Sequence, residues 1–277
     1  MNKPYIIGIV PARMGSSRFP GKPLAPIGGL PMLGHVYLRA RLSPLLDGLY
    51  IATCDVEIAD YIAQIGGEAI MTSPAHQRAS DRCAEALTIV ESRLGRKADI
   101  VVMIQGDEPM LHPDMIGEAL QPLLDDPGVP VSNLMAPLRD AEEQRDANEV
   151  KVVVDMNNDA LYFSREPIPT PRRDGDATAN WKQVCIIPFR RDFLLTYRDL
   201  PPTPLEKAES VDMLRVLEHG YKVRMVPTRF KVYSVDTEAD RARVERLMTD
   251  DPLLPVYTGA YQSASNSPIS SLNNGLI

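Results

Sequence analysis

The stretch YIIGIVPARMGSSRFPGKPL, residues 5–24, decides how this chain folds and indicates what it binds. Its first six residues are apolar and rich in β-branched side chains, which is typical of a buried strand. A loop follows directly and carries three cations, Arg13, Arg18 and Lys22, among glycines and prolines. A loop that only connected two elements would need turn residues but not this density of positive charge. The pattern predicts an anion-binding site at the end of the first strand.

Glycines in this loop let backbone N–H groups approach a ligand, so Arg13 and Lys22 suit a triphosphate. The loop lacks the GxxxxGK[ST] spacing, so it is not the common phosphate-binding loop. A competing interpretation is a solvated loop whose cations pair with surface carboxylates. Because the loop leaves a buried strand directly, we favour the anion site.

Composition limits the classes of function. The chain has 277 residues, 44% of them hydrophobic, which is enough for one large domain or a domain with a smaller lobe. Its net charge of -7 argues against a nucleic-acid-binding protein. No window is long and apolar enough for a membrane span. Three scattered cysteines, Cys54, Cys83 and Cys185, form no CxxC pair and indicate a reducing compartment, so we expect a soluble cytoplasmic protein.

The first half of the chain alternates between strand and helix patterns. Strands are predicted at 5–10, 48–53, 68–72 and 99–106, and helices at about 31–41, 55–65 and 80–94, with Ser80 as a helix cap. Such alternation predicts an α/β fold with a parallel sheet covered by helices on both faces. Ligands gather at the carboxyl ends of the strands in these sheets, which is where the cationic loop begins.

The second half is less regular. Strands are predicted at 131–138, 150–155, 160–165, 183–189, 222–227 and 229–236, and helices at 203–220 and 237–248. Several connections are too short for crossover helices, so part of this region is expected to be antiparallel. We expect one domain over residues 1–249, with a lobe drawn from about 130–220. Residues 250–277 are rich in Ser, Asn and Pro, and we interpret them as a mobile or surface-draped tail.

Two aspartates end predicted strands. Asp107 lies in QGDEP, where Glu108 follows it, and Asp236 lies in YSVDTEAD. Mg²⁺ prefers one or two carboxylates together with substrate phosphates, so the two aspartates suit one shared ion if the sheet brings them together. The alternatives are that Asp107 caps a turn and that Asp236 starts a helix.

A fourth motif, SPAHQRASDR, places His76, Arg78, Ser80 and Arg82 between a strand and a helix. The N-terminus of that helix would favour an anion or a polar base edge. No Ser/His/Asp arrangement and no set of metal-ligand spacing surrounds His76. The sequence therefore disfavours nucleophilic hydrolysis and zinc chemistry.

Together, IVPARMGSSRFPGKPL, MIQGDEP, ALYFSR, TPLE…MLRVLEHG and SVDTEAD resemble the 3-deoxy-manno-octulosonate cytidylyltransferases, enzymes that make CMP-activated sugar acids. The resemblance runs from about Tyr5 to Met248. It implies a Rossmann-like nucleotidyltransferase fold, with a mixed, mostly parallel sheet, helices on both faces and a smaller dimerisation lobe. It also implies a homodimer that uses CTP, Mg²⁺ and a small acidic acceptor, with no nucleic-acid or membrane partner.

The resemblance also implies roles for individual residues. The catalytic set would be Arg13, Lys22 and Asp107, and magnesium would be held by Asp107 and Asp236. The nucleotide would lie among Pro11, Ala12, Arg13, Arg18, Lys22, Ser80, Arg82 and Gln105. The acceptor would lie among Arg78, Arg165, Gln183, Ile187, Glu209, Asp212 and Met213.

Departures from the family pattern concern the acceptor side. The stretch HLGIYGYR is QVCIIPFR here, so Gln183 and Ile187 replace a His and a Tyr. A Glu-Gln pair is Asp212-Met213, and a Ser-Gly-Thr run is Arg78, Ala79 and Ser80. An Asp usual after the IAT strand is Cys54, with Asp55 beside it.

These departures leave several functions open. The loss of His and Tyr hydrogen bonds predicts a different acceptor, such as an altered sugar acid or a small phosphonate or carboxylate with fewer hydroxyls. The alternative is an ordinary divergent member that uses octulosonate. A nucleotide-binding protein without turnover and a sugar-1-phosphate nucleotidyltransferase are further alternatives.

Overall fold

The computed structural model describes residues 3–15, 19–170 and 180–265, with side chains up to residue 259. The strands are β1 (Ile6–Pro11), β2 (Pro26–Ile27), β3 (Leu30–Pro31), β4 (Gly48–Thr53), β5 (Glu68–Met71), β6 (Ile100–Ile104), β7 (Ser132–Pro137), β8 (Lys151–Val154), β9 (Ala160–Ser164), β10 (Trp181–Val184), β11 (Ile186–Arg190) and β12 (Arg224–Pro227). The helices are α1 (Met32–Ala40), α2 (Val56–Gln64), α3 (Ala79–Leu94), α4 (Asp114–Asp125), α5 (Ala141–Arg145), α6 (Arg191–Asp199), α7 (Pro204–Glu209), α8 (Asp212–Glu218), α9 (Glu238–Met248) and α10 (Leu254–Ser265), with a 3-10 turn at Lys22–Leu24.

The main sheet has the strand order β11-β6-β1-β4-β5. β1 pairs in parallel with β4 and with β6, β4 pairs in parallel with β5, and only β11 runs antiparallel, against β6. The predicted mixed, mostly parallel sheet is therefore confirmed. Since the parallel strands share a direction, the loops after β1, β4 and β6 leave the same edge of the sheet.

The β1 strand is buried on both faces, as its continuous apolar run predicts. Ile7 and Ile9 pack into one hydrophobic cluster together with α3 and α6. Ile6 and Val10 face the opposite side and pack into a second cluster, together with α1, α2 and α4. Helices therefore cover both faces of the main sheet, because strand side chains alternate between the faces.

A second sheet of five strands has the order β12-β7-β10-β8-β9 and contains both parallel and antiparallel pairs. The predicted single strand at 183–189 is wrong in one respect, because Cys185 separates β10 from β11 and the two belong to different sheets. At the break, the Gln105 N–H donates to the Cys185 carbonyl at 3.0 Å. The chain therefore crosses from the second sheet to the main sheet beside the end of β6.

Two further predictions about the second half are wrong. The helix expected at 203–220 is split into α7 and α8 by Ser210, which adopts left-handed backbone angles (φ 55°, ψ 47°). Hydrogen bonds to this turn from distant residues outweigh the local preference for a continuous helix. The segment 229–236 is not a strand, although the Val235 N–H donates to the Asp107 carbonyl at 2.9 Å. The helices α4, α5, α6 and α10 were not predicted.

The tail prediction is also wrong for its first part. The helix α10 begins at Leu254, and Tyr257 is only 2% exposed. The Tyr257 hydroxyl bonds His35 Nδ1 at 2.7 Å, and the buried Arg39 forms an ion pair with Asp251. A Ser- and Asn-rich composition does not reveal one aromatic anchor, so the sequence pattern misses this packing. Residues 266–277 lie outside the described part of the chain.

The described cysteines, Cys54, Cys83 and Cys185, are free thiols. Within the described ranges, the chain forms no helix that combines the length and the apolar character needed to cross a membrane.

We expect Tyr257→Phe to lower the free energy of unfolding by about 1–3 kcal/mol, because it leaves a buried ring nitrogen without a partner. Burial lowers the pKa of His35, so its ring is neutral and carries one proton. His35 Nε2 is 2.7 Å from the Ile27 carbonyl, which only accepts, so that proton is on Nε2 and Nδ1 accepts from Tyr257. Urea unfolding monitored by circular dichroism measures the change.

The matched control is Tyr221→Phe. Tyr221 is 38% exposed, and within the described residues no hydrogen bond involves its hydroxyl. This variant should unfold within about 0.5 kcal/mol of the parent. Equal effects at the two positions would contradict a structural role for α10.

Candidate functional site

Two adjoining cavities lie at the carboxyl edge of the main sheet. The larger cavity measures about 450 Å³ and is lined by the loop after β1, the loop after β6 and the start of α3. The smaller cavity measures about 150 Å³ and is lined by β10, β11 and the turn between α7 and α8. Gln105, Asp107 and Ser210 line both cavities, so the two meet at the end of β6.

A lysine and two aspartates occupy the junction of the cavities. Lys22 Nζ lies 3.1 Å from Asp107 Oδ2 and 3.1 Å from Asp236 Oδ1. Burial disfavours the charge on Lys22, but the two carboxylates outweigh it and raise the pKa of the ammonium group. The two aspartates that were predicted to share a metal are therefore close together, and both contact Lys22.

Local backbone structure places each member of this cluster. Gly21 has φ 73°, a left-handed conformation that only glycine adopts without strain, and it turns the chain into the short helix that begins at Lys22. The bond between Val235 and Asp107 fixes the segment before Asp236 against the end of β6. Thr237 caps α9, so Asp236 does not act as its cap. Asp236 therefore reaches the site from a loop and not from a strand end.

The loop after β1 is held against the sheet and not simply solvated. The Ala12 N–H donates to the Ala52 carbonyl at 2.9 Å, and the Met14 N–H donates to Asp55 Oδ2 at 2.7 Å. Asp55 follows Cys54, so it contributes a carboxylate one residue beyond the position where the family usually has one. Between these contacts Arg13 is exposed at the larger cavity, and no described carboxylate pairs with it.

Most of the residues predicted to bind the nucleotide line the larger cavity: Pro11, Ala12, Arg13, Lys22, Arg82 and Gln105. Arg18 lies outside the described residues. Ser80 is a correction, because it is fully buried and its hydroxyl donates to Asp212 Oδ2 at 2.6 Å. Ser80 is not the cap of α3 either, since that helix begins at Ala79 with Arg78 in the cap position.

Four of the residues predicted to bind the acceptor line the smaller cavity: Arg165, Gln183, Ile187 and Asp212. Met213 is a correction, because it is fully buried in the hydrophobic core beside that cavity. Glu209 does not line the cavity, but its carboxylate accepts the Arg165 N–H at 2.8 Å. Met213 follows the polar Asp212 at the start of α8, and the sequence alone does not show whether such a residue faces the cavity or the core.

The guanidinium group of Arg165 donates hydrogen bonds to three nearby backbone carbonyls. Its Nε donates to the Glu209 carbonyl at 2.6 Å, and its Nη1 donates to the Ala147 carbonyl at 2.7 Å. A third contact, of 3.4 Å, joins Nη2 to the Ser210 carbonyl. The guanidinium group therefore holds the turn between α7 and α8 in place at the edge of the cavity.

Arg78 lies in the larger cavity, not in the smaller one where it was expected. Its Nη1 donates to Ser210 Oγ at 3.0 Å, and its Nε lies 3.4 Å from a carboxylate oxygen of Glu206. Glu206 is fully buried and is already bonded by Arg215 at 2.6 and 2.8 Å. Arg78 thus connects the start of α3 to the α7–α8 turn across the junction of the cavities.

Some site residues were missed. Glu108 is buried in the wall of the smaller cavity, and burial together with the nearby Asp107 raises its pKa to about 8. Lys182, only 3% exposed, lines the same cavity and contacts Glu149 of that wall at 3.1 Å and Glu143 behind it at 2.7 Å. QGDEP was a signal for Glu108, whereas nothing in a strand sequence distinguishes the buried lysine.

The arrangement suits a divalent cation held jointly by protein and substrate. Among the described residues, no group of three or more His, Cys, Asp or Glu side chains has the arrangement of a metal site. Asp107 and Asp236 supply two carboxylates beside the cationic loop, which is the donor set that Mg²⁺ takes when phosphates complete its shell. The site can therefore bind and polarise a polyphosphate.

Comparison with known proteins agrees with this geometry. The model of the cytidylyltransferase family matches residues 7–225. A 3-deoxy-manno-octulosonate cytidylyltransferase of Syntrophotalea carbinolica is 43% identical over 248 residues, covering 87% of this chain and 97% of the relative. The enzyme of that name from Trichlorobacter lovleyi is 42% identical over 253 residues, covering 88% and 98%.

A solved structure is also similar over most of its length. It is that of CMP:2-keto-3-deoxy-manno-octonic acid synthetase complexed with CTP, with a TM-score of 0.78 and 39% identity, covering 88% of this chain and 98% of that one. The region matched by the family model contains the cationic loop after β1 and Asp107. The chain therefore belongs to the cytidylyltransferase family, among the 3-deoxy-manno-octulosonate cytidylyltransferases.

Proposed function

We propose that the protein transfers CMP from CTP to 3-deoxy-manno-octulosonate or a related sugar acid and releases pyrophosphate. The observation that carries this proposal is the position of Lys22, Asp107 and Asp236 between the two cavities. The larger cavity has room for a nucleotide and the smaller one for an acceptor, and the charged cluster lies where the two would react. The named relatives and the CTP complex of a related synthetase support the same reaction.

The chemistry asks for positioning and charge neutralisation. A hydroxyl oxygen of the acceptor forms a bond to the α-phosphorus of CTP and gives its proton to water, while the bond to the bridging oxygen breaks and pyrophosphate leaves with the electron pair. Arg13 and Lys22 both line the larger cavity, and their positive charges would offset negative charge that builds on the phosphate oxygens. Holding both reactants at one junction makes the reaction effectively unimolecular, which is a large part of the acceleration.

We infer that Asp107 and Asp236 hold Mg²⁺ together with the phosphates. When bound, the ion would neutralise phosphate charge and lower the pKa of the attacking hydroxyl. Both carboxylates lie where the two cavities meet, so a cation held by them would also contact the phosphates of a nucleotide in the larger cavity.

A different acceptor is the second candidate function. Gln183, Cys185 and Ile187 line the smaller cavity in place of the His, Gly and Tyr of the family motif, so the groups that meet the acceptor have changed. A small phosphonate or carboxylate is the alternative class that such a change permits. A nucleotide-binding role without turnover would leave the convergence of Lys22 with both aspartates unexplained.

We further propose that the protein works as a homodimer in the cytoplasm, through the lobe that contains the second sheet. Leu161 on the outer strand β9 is 62% exposed, and Met156 in the turn before it is 99% exposed. Apolar groups exposed at a sheet edge are typical of a surface that another chain covers. Sedimentation equilibrium of the full chain decides between monomer and dimer.

The first prediction concerns substrate. Pyrophosphate release from CTP should be efficient with 3-deoxy-manno-octulosonate and weak with sugar 1-phosphates or small phosphonates. A coupled pyrophosphate assay over a panel of these acceptors measures this. Turnover of a phosphonate alone would replace the proposed substrate, and CTP binding with no turnover of any acceptor would favour a binding protein.

The second prediction concerns the charged cluster. Asp107→Asn and Lys22→Met should each lower kcat by about 100-fold or more, because each removes a group that stabilises charge at the reacting phosphate. Steady-state kinetics with saturating CTP measures the loss, and thermal unfolding checks that the variants fold. The control Asp199→Asn changes a carboxylate that is exposed on α6 and should stay within twofold of the parent.

The third prediction concerns metal. Removing divalent cations by chelation should abolish pyrophosphate release, and added Mg²⁺ should restore it. The melting temperature without nucleotide should hardly change, because Lys22 stays as an internal partner for both aspartates. In Asp236→Asn, the Mg²⁺ concentration for half-maximal rate should rise about tenfold or more. Full activity in the chelator would argue against the metal site.

A further inference from the structure

Three alternate residues of one chain segment, Gln183, Cys185 and Ile187, line the smaller cavity. Gln183 is on β10, Ile187 is on β11 and Cys185 is at the break between the two strands, so the cavity wall is formed where the chain crosses from one sheet to the other. These are the positions at which the family motif HLGIYGYR has His, Gly and Tyr. The changes therefore converge on one wall, and Gln183 is the only one of the three whose side chain is a strong hydrogen-bonding group.

A buried asparagine lies behind that wall. Asn133 on β7 is 0% exposed, and its Nδ2 lies 2.6 Å from the Val184 carbonyl and 3.1 Å from the Leu134 carbonyl. Carbonyl oxygens only accept hydrogen bonds, so the amide end that faces both of them must be the NH₂ group. The orientation of the Asn133 amide is thereby fixed, with Oδ1 on the opposite side.

The fixed asparagine in turn fixes the glutamine. Asn133 Oδ1 lies 2.6 Å from the amide of Gln183, and an oxygen at this position requires a donor. The nearer atom of Gln183 is therefore Nε2, and its Oε1 is left for another partner. Within the described ranges, no side chain or backbone N–H donates to this Oε1. The half-buried glutamine thus has an unused carbonyl oxygen at the cavity.

We propose that Gln183 selects acceptors by taking a hydrogen bond from one of their hydroxyl groups, and that Asn133 is the positioning residue that sets its orientation. The inference deepens the proposed function and rests on it. A hydroxyl donates to Oε1, whereas a carboxylate, a dianionic phosphonate or an ether oxygen has no proton to give. The wall therefore favours a hydroxylated sugar acid over a small phosphonate.

The neighbours of Gln183 strengthen this selection. Met103 and Ile187 are almost fully buried and line the same cavity, so water is poorly placed to replace a missing acceptor hydroxyl. A site built to bond a hydroxyl rejects the analogue that lacks it, because the polar group of the protein is then left unpaired. One hydroxyl of the acceptor should consequently matter more than the others.

The test couples a variant to substrate analogues. In Gln183→Met, kcat/KM for the parent acceptor should fall about 10- to 100-fold, mainly through KM. We also expect one analogue, with a single hydroxyl replaced by hydrogen or fluorine, to show the same fall in kcat/KM with the wild-type enzyme. With that analogue, Gln183→Met should have the same kcat/KM as wild type. Gln183→His, which offers a ring nitrogen to the hydroxyl, should recover part of the loss.

The control is Gln121→Met, the same chemical change on an exposed glutamine outside the cavity, and it should behave as wild type. If every analogue lost equal activity in wild type and Gln183→Met, the role of Gln183 would be overturned. Failure of wild type to use octulosonate would overturn the proposed substrate alone. The role of Gln183 would then be tested by comparing wild type and Gln183→Met on the acid that the enzyme does turn over and on the deoxy analogues of that acid.

A second measurement needs no substrate. In the free protein, one of the two Nε2 protons of Gln183 should exchange slowly with water, because it is bonded to buried Asn133. Side-chain amide NMR detects the proton, and loss of the signal in Gln183→Met assigns it. Rapid exchange of both protons would contradict the fixed orientation, whatever the acceptor.

Discussion

The ion cluster of Lys22, Asp107 and Asp236 is the interaction on which the rest of the site depends. It joins three distant parts of the chain, since Asp107 is 85 residues and Asp236 is 214 residues from Lys22 in the sequence. A lysine that is mostly buried would lose its charge without partners, and two carboxylates at this distance would repel each other without the lysine. The two carboxylates thus raise the pKa of Lys22 and keep it charged, and the lysine holds both aspartates at the point where the two cavities meet.

Strand–helix alternation and strand ends were enough to predict the main sheet and the edge at which the site lies. The pairing of Asp107 with Asp236 was also predicted, but for a partly wrong reason. Asp236 was assigned to the end of a strand, whereas a backbone bond between Val235 and Asp107 brings its loop to the site. Local sequence patterns predict where a residue lies in its own helix or strand, but they do not predict contacts between loops that are distant in the sequence.

Positions near the acceptor were harder to predict because tertiary contacts decide them. Met213 follows a polar residue on a helix, yet its side chain is in the core. Serine is a common helix cap, yet the Ser80 hydroxyl donates to Asp212. The left-handed turn at Ser210 is held by Arg78 and Arg165 from two other elements. Resemblance identified this wall as changed, and only the structure shows which changed side chains face the cavity.

The order in which the main sheet is completed has a consequence for synthesis of the chain. β6 ends at Ile104, but its second neighbour, β11, ends at Arg190. At a ribosomal rate of about 5–20 residues per second, this apolar strand waits roughly 4–17 s with one side unpaired. An unpaired apolar edge is a template for aggregation. Slow translation between these strands, or a stop before Arg190, would therefore leave the nascent chain dependent on chaperones.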